Sequence, residues 1–415
     1  MTVPNKLPRP QADRTLPVAP THRWRIAAAA IALHLCIGSV YAYSVLVKPL
    51  QDLHGWTRSQ TALAFSLAIV CLGLSAALFG KTVERRGARW SALVAMACQV
   101  TGLLGTALAF HLGSRELFYV SYGVIGGIGL GLGYLAPVSL LVRSFPERRG
   151  LATGMAIMGF GLGALVFGPT MTALFAVTSM PATFLILAGV DLLVMGSAAL
   201  AFGAHQSAAP ATTAVRADDK IPAPRTARFW YLWLMLFLNV TCGIALISAA
   251  APMLQEQIGL SAAAATGVVG LIGLFNGGGR LGWSALSDRI GRANVWTLFF
   301  ALGAILFGVM ATVKDPLIFQ GAFLLAITCY GGGFACMPSF IADLFGVERL
   351  PRIQGLILTA WSAAGILGPA TAAILRERTG SYAASLPVFA GLLVVGLVVV
   401  LLLRRDISQR AVALA

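Results

Sequence analysis

Long uninterrupted apolar runs dominate the chain, and short polar turns separate them. Such runs lie near 25–47, 59–79, 90–112, 117–142, 150–176, 182–204, 229–254, 262–286, 294–313, 317–342, 353–375 and 382–403. Each is close to the roughly 20 apolar residues that cross a bilayer as a helix. They are too long and too free of charge for core strands. They also lack the alternation over about 10 residues that a transmembrane barrel strand shows. The pattern therefore predicts an all-α membrane protein of twelve spans, numbered here 1–12. Composition agrees: 58% of the 415 residues are hydrophobic, 11% are charged and mean hydropathy is +0.83. Soluble domains carry about 25% charged residues.

A net charge of +15 points first to nucleic acid. Its distribution excludes that reading. Of the 30 Lys and Arg, Lys48, Arg58, Arg115, Lys314, Arg376 and Arg378 fall on one side of the predicted spans. Arg280 is left deep inside span 8, and all the others fall on the opposite side with both termini. Cytoplasmic loops carry this excess of basic residues. The chain is expected in a bacterial inner membrane with both termini cytoplasmic. The stretch before span 1 is polar and Pro-rich, without the apolar core of a signal peptide, so span 1 is expected to be retained. All six cysteines lie in predicted spans, and no disulfide or metal site is expected. Abundant Ala and a preference for Arg over Lys suit a GC-rich bacterium.

One long polar stretch, residues 205–227, reads as a flexible cytoplasmic linker. It separates a tail at 1–24 and a six-helix bundle at 25–204 from a second bundle at 228–404 and a tail at 405–415. The bundles echo one another. The turn after span 2 holds Gly80, Glu84, Arg85, Arg86, Gly87 and Arg89, and the turn after span 8 holds Ser284, Asp288, Arg289, Gly291 and Arg292. Span 5 holds Ala164 to Gly168-Pro169, and span 11 holds Ala364 to Gly368-Pro369. Spans 4 and 10 carry glycine runs at 126–133 and 331–333, followed by Pro137 and Pro338. Repeats of this kind mark transporters with a midplane site between the halves. In each turn the acid can cap a helix N-terminus or pair with Arg, and Gly allows a tight reversal. Glu84, Arg85 and Gly87, with Asp288, Arg289 and Gly291, are thus candidates for a conformational latch. Two solvated basic turns are the plainer alternative. The glycine-rich spans permit close helix contact, either as static packing or as a sliding surface.

These turns resemble the Gly-x-x-x-Asp-Arg-x-Gly-Arg signature of the major facilitator superfamily, with Glu84 and Ser284 as departures and Arg89 one place late. The segments at 229–248, 275–292, 126–137 and 329–346 resemble the oxalate:formate antiporter family, which includes bacterial lactate and pyruvate transporters. The resemblance covers the whole membrane part. It implies two pseudo-symmetric six-helix bundles that work by alternating access.

Arg280 carries the chemistry best. An Arg inside a span costs about 2.5–3.5 kcal/mol on insertion scales. The matching place in the first half, near Ala77, holds no charge, so the fold itself does not require one. A guanidinium offers a carboxylate two parallel donors. Snorkelling is the alternative, since Asp288 is about 12 Å further along the helix. Gly277, Gly278 and Gly279 are expected to open space beside Arg280. Asn276, one turn away, suits a hydroxyl or keto oxygen, or else glues two helices. Tyr43, Tyr134, Tyr330 and Phe334 suit a small amphipathic anion or simple packing. The family resemblance supports a carboxylate-binding role for Arg280 and a lining role for Tyr330 and Phe334. It also implies that oxalate transporters carry Lys where this chain has Trp361. Without that second cation one carboxylate of oxalate would lie buried and unpaired, so a monocarboxylate is expected. His34 and Asp191 are proton-coupling candidates, although a superfamily span 6 is often peripheral.

Function then reads as secondary transport of lactate, pyruvate or formate by proton symport, with anion exchange second. A drug-efflux carrier would want an acidic cavity, and a membrane sensor a soluble domain. No phosphate-binding loop is present, so ATP use, enzyme activity and a cofactor are not expected. The expected partners are a small carboxylate, protons and lipid, with the protein a monomer.

Overall fold

The computed structural model describes residues 20–203 and 222–413. Most of the expected linker at 205–227 and the start of the N-terminal tail lie outside them. The described residues are helical, and all twelve spans are present. Eleven helical stretches are long and apolar enough to cross a bilayer. One of them, Arg58–Leu112, is two spans joined at Gly87, whose φ of 81° breaks the helix. Gly291, in the matching turn between Ala262–Ile290 and Arg292–Thr312, has φ 91°. A side chain with Cβ is strained at such φ, which is why both repeats place glycine there. Spans 4, 5 and 6 are Arg115–Ser144, Arg149–Val177 and Met180–Ala201. Spans 10, 11 and 12 begin at Pro316, Leu350 and Ser385. Leu78, Val177, Leu193 and Leu317 are among large apolar side chains left more than 70% exposed, as lipid-facing residues are.

The first span of each half is broken. Span 1 runs as α-helix over Pro20–Ile37, tightens to a 3-10 turn over Gly38–Ala42 and resumes at Ser44–His54. Span 7 runs over Ala227–Ser248 and resumes at Ala250–Ile258. Irregular backbone at membrane depth is tolerated where protein or a cavity shields it.

The halves meet along spans 2 and 11 and along spans 5 and 8. A Cβ on Gly355 would strike the carbonyl of Ala76, and one on Gly154 the hydroxyl of Ser284. Further in, Gly73 faces Ser362, Gly277 faces Leu162, Gly365 faces Ile69 and Gly273 faces Leu165. Beyond that depth the crossing stops. The outer segments Ser44–His54 and Ala250–Ile258 pack chiefly on their own halves, and Gly168 and Gly368 meet only Val45, Thr241 and Ile244 of their own halves. The molecule is therefore closed at the end that carries the basic turns and parted at the other.

A polar cluster closes the basic end. Asp288 accepts bonds from the backbone N–H groups of Gly150 and Leu151, both at 2.8 Å. The second half thus caps the first turn of span 5, where helix N–H groups lack partners and the dipole favours an anion. Arg292 pairs with Asp288 at 2.7 Å and with Asp343 at 3.1 Å, and Arg149 reaches Asp343 at 3.2 Å. Thr153 adds a bond to the carbonyl of Ala335 at 2.6 Å. Arg85 and Arg289 are exposed, and Arg292 and Arg149 are the cations paired within this cluster. The other copy is asymmetric. Glu84 has a buried Oε2 with no hydrogen-bond partner. Burial pushes its carboxyl up from the ordinary range, against the pull of Arg352, Arg349, Arg143 and Arg85. A lost helix cap costs about 0.5–2 kcal/mol. Asp288→Ala should therefore shift the population several-fold away from the closed basic end. Labelling of a cysteine placed at Ser287 should speed up in proportion, and an unchanged rate would show that the cap does not bias the equilibrium.

Candidate functional site

Arg280 lies in span 8 where it crosses span 5, fully buried in the contact between halves. It does not snorkel. Its Nε donates to Asn276 Oδ1 at 3.1 Å, and Nη1 donates across the interface to the carbonyl of Ile157 at 3.2 Å. Two arms are thereby fixed, and Nη2 is buried without a partner. No carboxylate among the described residues is within ion-pair reach of it. Phe160 and Phe334 lie against the guanidinium at 5.6 and 5.2 Å. These contacts hold the fork rigid without neutralising it.

Room for this side chain comes from glycines other than those expected. A Cβ on Gly161 would sit 3.0 Å from Arg280 Nε, and one on Gly331 would sit 2.5 Å from Asn276 Oδ1 and 3.2 Å from Arg280 Cγ. Gly277 and Gly279 instead let span 8 approach Leu162 and Thr328.

An aromatic cage adjoins the guanidinium, with Trp361 at its centre. Its ring lies 4.6 Å from Phe334, 5.5 Å from Phe160, 6.0 Å from Tyr134 and 6.4 Å from Tyr41. Tyr41 and Tyr330 join hydroxyls across the halves at 3.1 Å. Two further polar atoms in the cage are buried without partners: the Tyr134 hydroxyl and Trp361 Nε1. Arg280 Nη2 is a third donor without a hydrogen-bond partner, and the Tyr41 hydroxyl lies close to the same guanidinium. Buried polar groups are nearly always hydrogen-bonded, so these three donors are the ones an incoming acceptor would satisfy. A carboxylate is acceptor-only and takes about four bonds.

Arg280, Asn276, Tyr134, Tyr330, Phe334 and Trp361 are thus brought together. Tyr43 is not. Its ring packs on Phe65, Phe118 and Tyr122, and its hydroxyl bonds the carbonyl of Thr61. The 3-10 turn over Gly38–Ala42 changes the angular step per residue, and Tyr41 takes the inward position. Phe160 was also missed, because nothing in a span 5 run of Gly, Ala and Leu singles out one aromatic. Asp191 is buried but remote from the cage, facing the side chains of Cys36 and Gln99 within the first half. His34 stands directly behind the cage. Its ring meets Tyr134 at 5.4 Å and Phe160 at 6.5 Å. Among the described residues no cluster of His, Cys, Asp or Glu could hold a metal ion.

Comparison with known proteins agrees with this architecture. The Major Facilitator Superfamily profile matches residues 29–369 and 283–413. The MFS-type transporter YhjX of Escherichia coli, itself uncharacterized, is 30% identical over 351 residues, covering 83% of this chain and 86% of that protein. The oxalate:formate antiporter of Oxalobacter formigenes is 27% identical over 366 residues, covering 86% of each. Human monocarboxylate transporter 11 is 26% identical over 396 residues, covering 90% of this chain and 81% of its own. Among solved structures, the human organic anion transporter MFSD10 superposes with a TM-score of 0.74 at 18% identity, covering 92% of this chain and 100% of that one. FucP in its outward conformation gives 0.72 at 15% identity, covering 90% and 97%. Twelve spans, two repeats and these matches have one reading: the chain is a multi-pass membrane transporter and belongs to the major facilitator superfamily.

Proposed function

We propose that this transporter carries small monocarboxylates of the lactate, pyruvate or formate class by proton symport. The observation that carries the reading is the buried Arg280 guanidinium, whose Nη2 lacks a hydrogen-bond partner, as do the Tyr134 hydroxyl and Trp361 Nε1 of the adjoining cage. A carboxylate bound there receives a charge-assisted bond from Nη2 and neutral bonds from Tyr134 and Trp361. Asn276 Oδ1 accepts from Arg280 Nε and so positions the guanidinium, and the Nδ2 amide remains to donate to a hydroxyl or keto oxygen of the substrate. The relatives' names support an organic anion: one carries oxalate and formate, and others are monocarboxylate transporters. Trp361 supports a single negative charge, because a dianion would keep one carboxylate without a cation.

The basic distribution supports a cytoplasmic position for the closed end and both termini, in a bacterial inner membrane. This conformation then faces outward. Substrate would enter from the parted end, the contacts beyond Gly273 and Gly365 would close, and the Asp288 cluster would release. Each half moves as a body, and a monomer suffices for the cycle. Exchange of one carboxylate for another is the second reading, favoured by the likeness to an oxalate:formate antiporter.

Proteoliposomes decide between them. With labelled lactate, pyruvate and formate outside and no internal anion, symport predicts accumulation of at least one of them when the outside is acidic, abolished by a protonophore. Exchange predicts uptake only after preloading with an anion. Saturable uptake of none of the three would overturn the carboxylate reading.

A further inference from the structure

Among the described residues, a fourth buried polar atom in this region lacks a partner, and it is an acceptor. His34 is fully buried in span 1, and its Nε2 has no hydrogen-bond partner. Its Nδ1 lies 3.2 Å from the carbonyl of Ala30. A carbonyl only accepts, so Nδ1 is the protonated nitrogen. The neutral ring then presents its lone pair at Nε2. The three orphans around Arg280 ask for an anion, and this one asks for a proton.

We propose that His34 Nε2 carries the coupling proton, and that carboxylate at Arg280 and proton at His34 bind cooperatively. The inference rests on the carboxylate reading above. The groups around the ring are few. Span 4 presents Tyr134, span 5 presents Phe160 and Gly159, and the charge of Arg280 in span 8 reaches the imidazole. On span 6, Asp191 faces Cys36 and Gln99, and it offers His34 no ion pair. With the site empty, burial away from water disfavours a charged imidazole first, and the Arg280 charge adds to that. A carboxylate arriving on Nη2 cancels the Arg280 contribution and supplies a counter-charge for the imidazolium. A proton from water can then bond to Nε2, and the anion in turn binds more tightly to the protonated form. Linkage makes the two effects equal. The charge balance follows. The empty site holds Arg280 alone and carries one positive charge. The loaded site holds Arg280, carboxylate and imidazolium, and carries one as well. Loaded and empty forms thus cross with equal charge, so the cycle is electroneutral. On release to the other side, the anion and the proton leave together.

The test is proton uptake on binding, read with a pH indicator in weakly buffered detergent solution. Sodium lactate, pyruvate and formate are added to wild type, His34→Gln and His34→Asn. Wild type should take up about one proton per anion bound. Both variants should bind the anion, with proton uptake falling to near zero and affinity no longer improving as pH drops. Asp191→Asn should behave as wild type. If either His34 variant binds the anion and takes up a proton as wild type does, the proposal is overturned, and the carboxylate reading survives. If wild type binds none of the three acids, the carboxylate reading falls and takes this proposal with it. Variants that bind nothing would be checked by thermal unfolding: folded protein without binding makes His34 part of the anion site and equally overturns a proton-only role.

Discussion

Arg280→Met should weaken carboxylate binding at least about 30-fold and make the empty protein more stable. The two effects have one origin. Arg280 is buried at 0% exposure, with one guanidinium nitrogen unpartnered and no counter-ion among the described residues. Burying a charge without pairing costs several kcal/mol. A residue retained at that cost is there for something that arrives later. Met has similar length and no charge, and it keeps packing against Phe160 and Phe334. Relief of the buried charge should raise the midpoint of thermal unfolding by several degrees, on the order of 1–4 kcal/mol. The bound state suffers the reverse. Removing one member of a buried charge pair costs about 2–5 kcal/mol, so affinity should fall at least about 30-fold. Arg280→Lys should be intermediate, since it keeps the charge but loses the bonds to Asn276 and Ile157. Unfolding midpoints with and without 10 to 100 times the wild-type Kd of ligand check both halves. A destabilised empty Arg280→Met protein would make Arg280 a structural residue and remove the basis of the site.

Much of this was legible in the sequence, and the parts that were not have identifiable causes. Hydropathy located the spans because lipid demands about 20 apolar residues each. The repeat located Gly87 and Gly291, because positive φ selects glycine at equivalent turns. Arg280 stood out because a charge in a span is rare. What failed depended on the angle of a side chain about its helix axis. Tyr43 and Tyr41 are two residues apart, and a 3-10 turn decided which faces inward. Gly277 to Gly279 were in the right helix, yet the space beside Arg280 came from Gly161 and Gly331 on two other helices. Arg289 and Arg292 both sit in the same turn, and only the fold shows that Arg292 reaches Asp288 and Asp343. Spacing along one chain cannot register contacts made by a second helix. Orphaned donors are likewise a property of three dimensions, and they are what raised Tyr134 and Trp361 from packing residues to candidates.

On the proposed monocarboxylate reading, Trp361→Lys should shift the preference from monoanions to a dianion. The indole occupies the centre of the cage, with Phe334, Phe160, Tyr134 and Tyr41 around it. An ammonium in its place would face the same rings, which tolerate a cation. It would also supply a second positive charge within the cage. Two cations then await the ligand. Oxalate can neutralise both, whereas lactate or formate leaves one buried and uncompensated. Each arrangement differs by one unpaired buried charge, so the ratio of oxalate to lactate affinity should rise at least about 100-fold, or about 2.7 kcal/mol. The empty variant should be less stable than wild type, and oxalate should restore its stability more than lactate does. Trp361→Phe separates charge from shape. It keeps an aromatic ring and removes only the Nε1 donor, a bond to a charged group worth about 1.5–3 kcal/mol. Both anions should therefore bind about tenfold or more weakly, with their ratio unchanged. Equal preference in Trp361→Lys and wild type would mean that the second carboxylate of oxalate points away from position 361. The restriction to one charge would then have to come from the size of the cage.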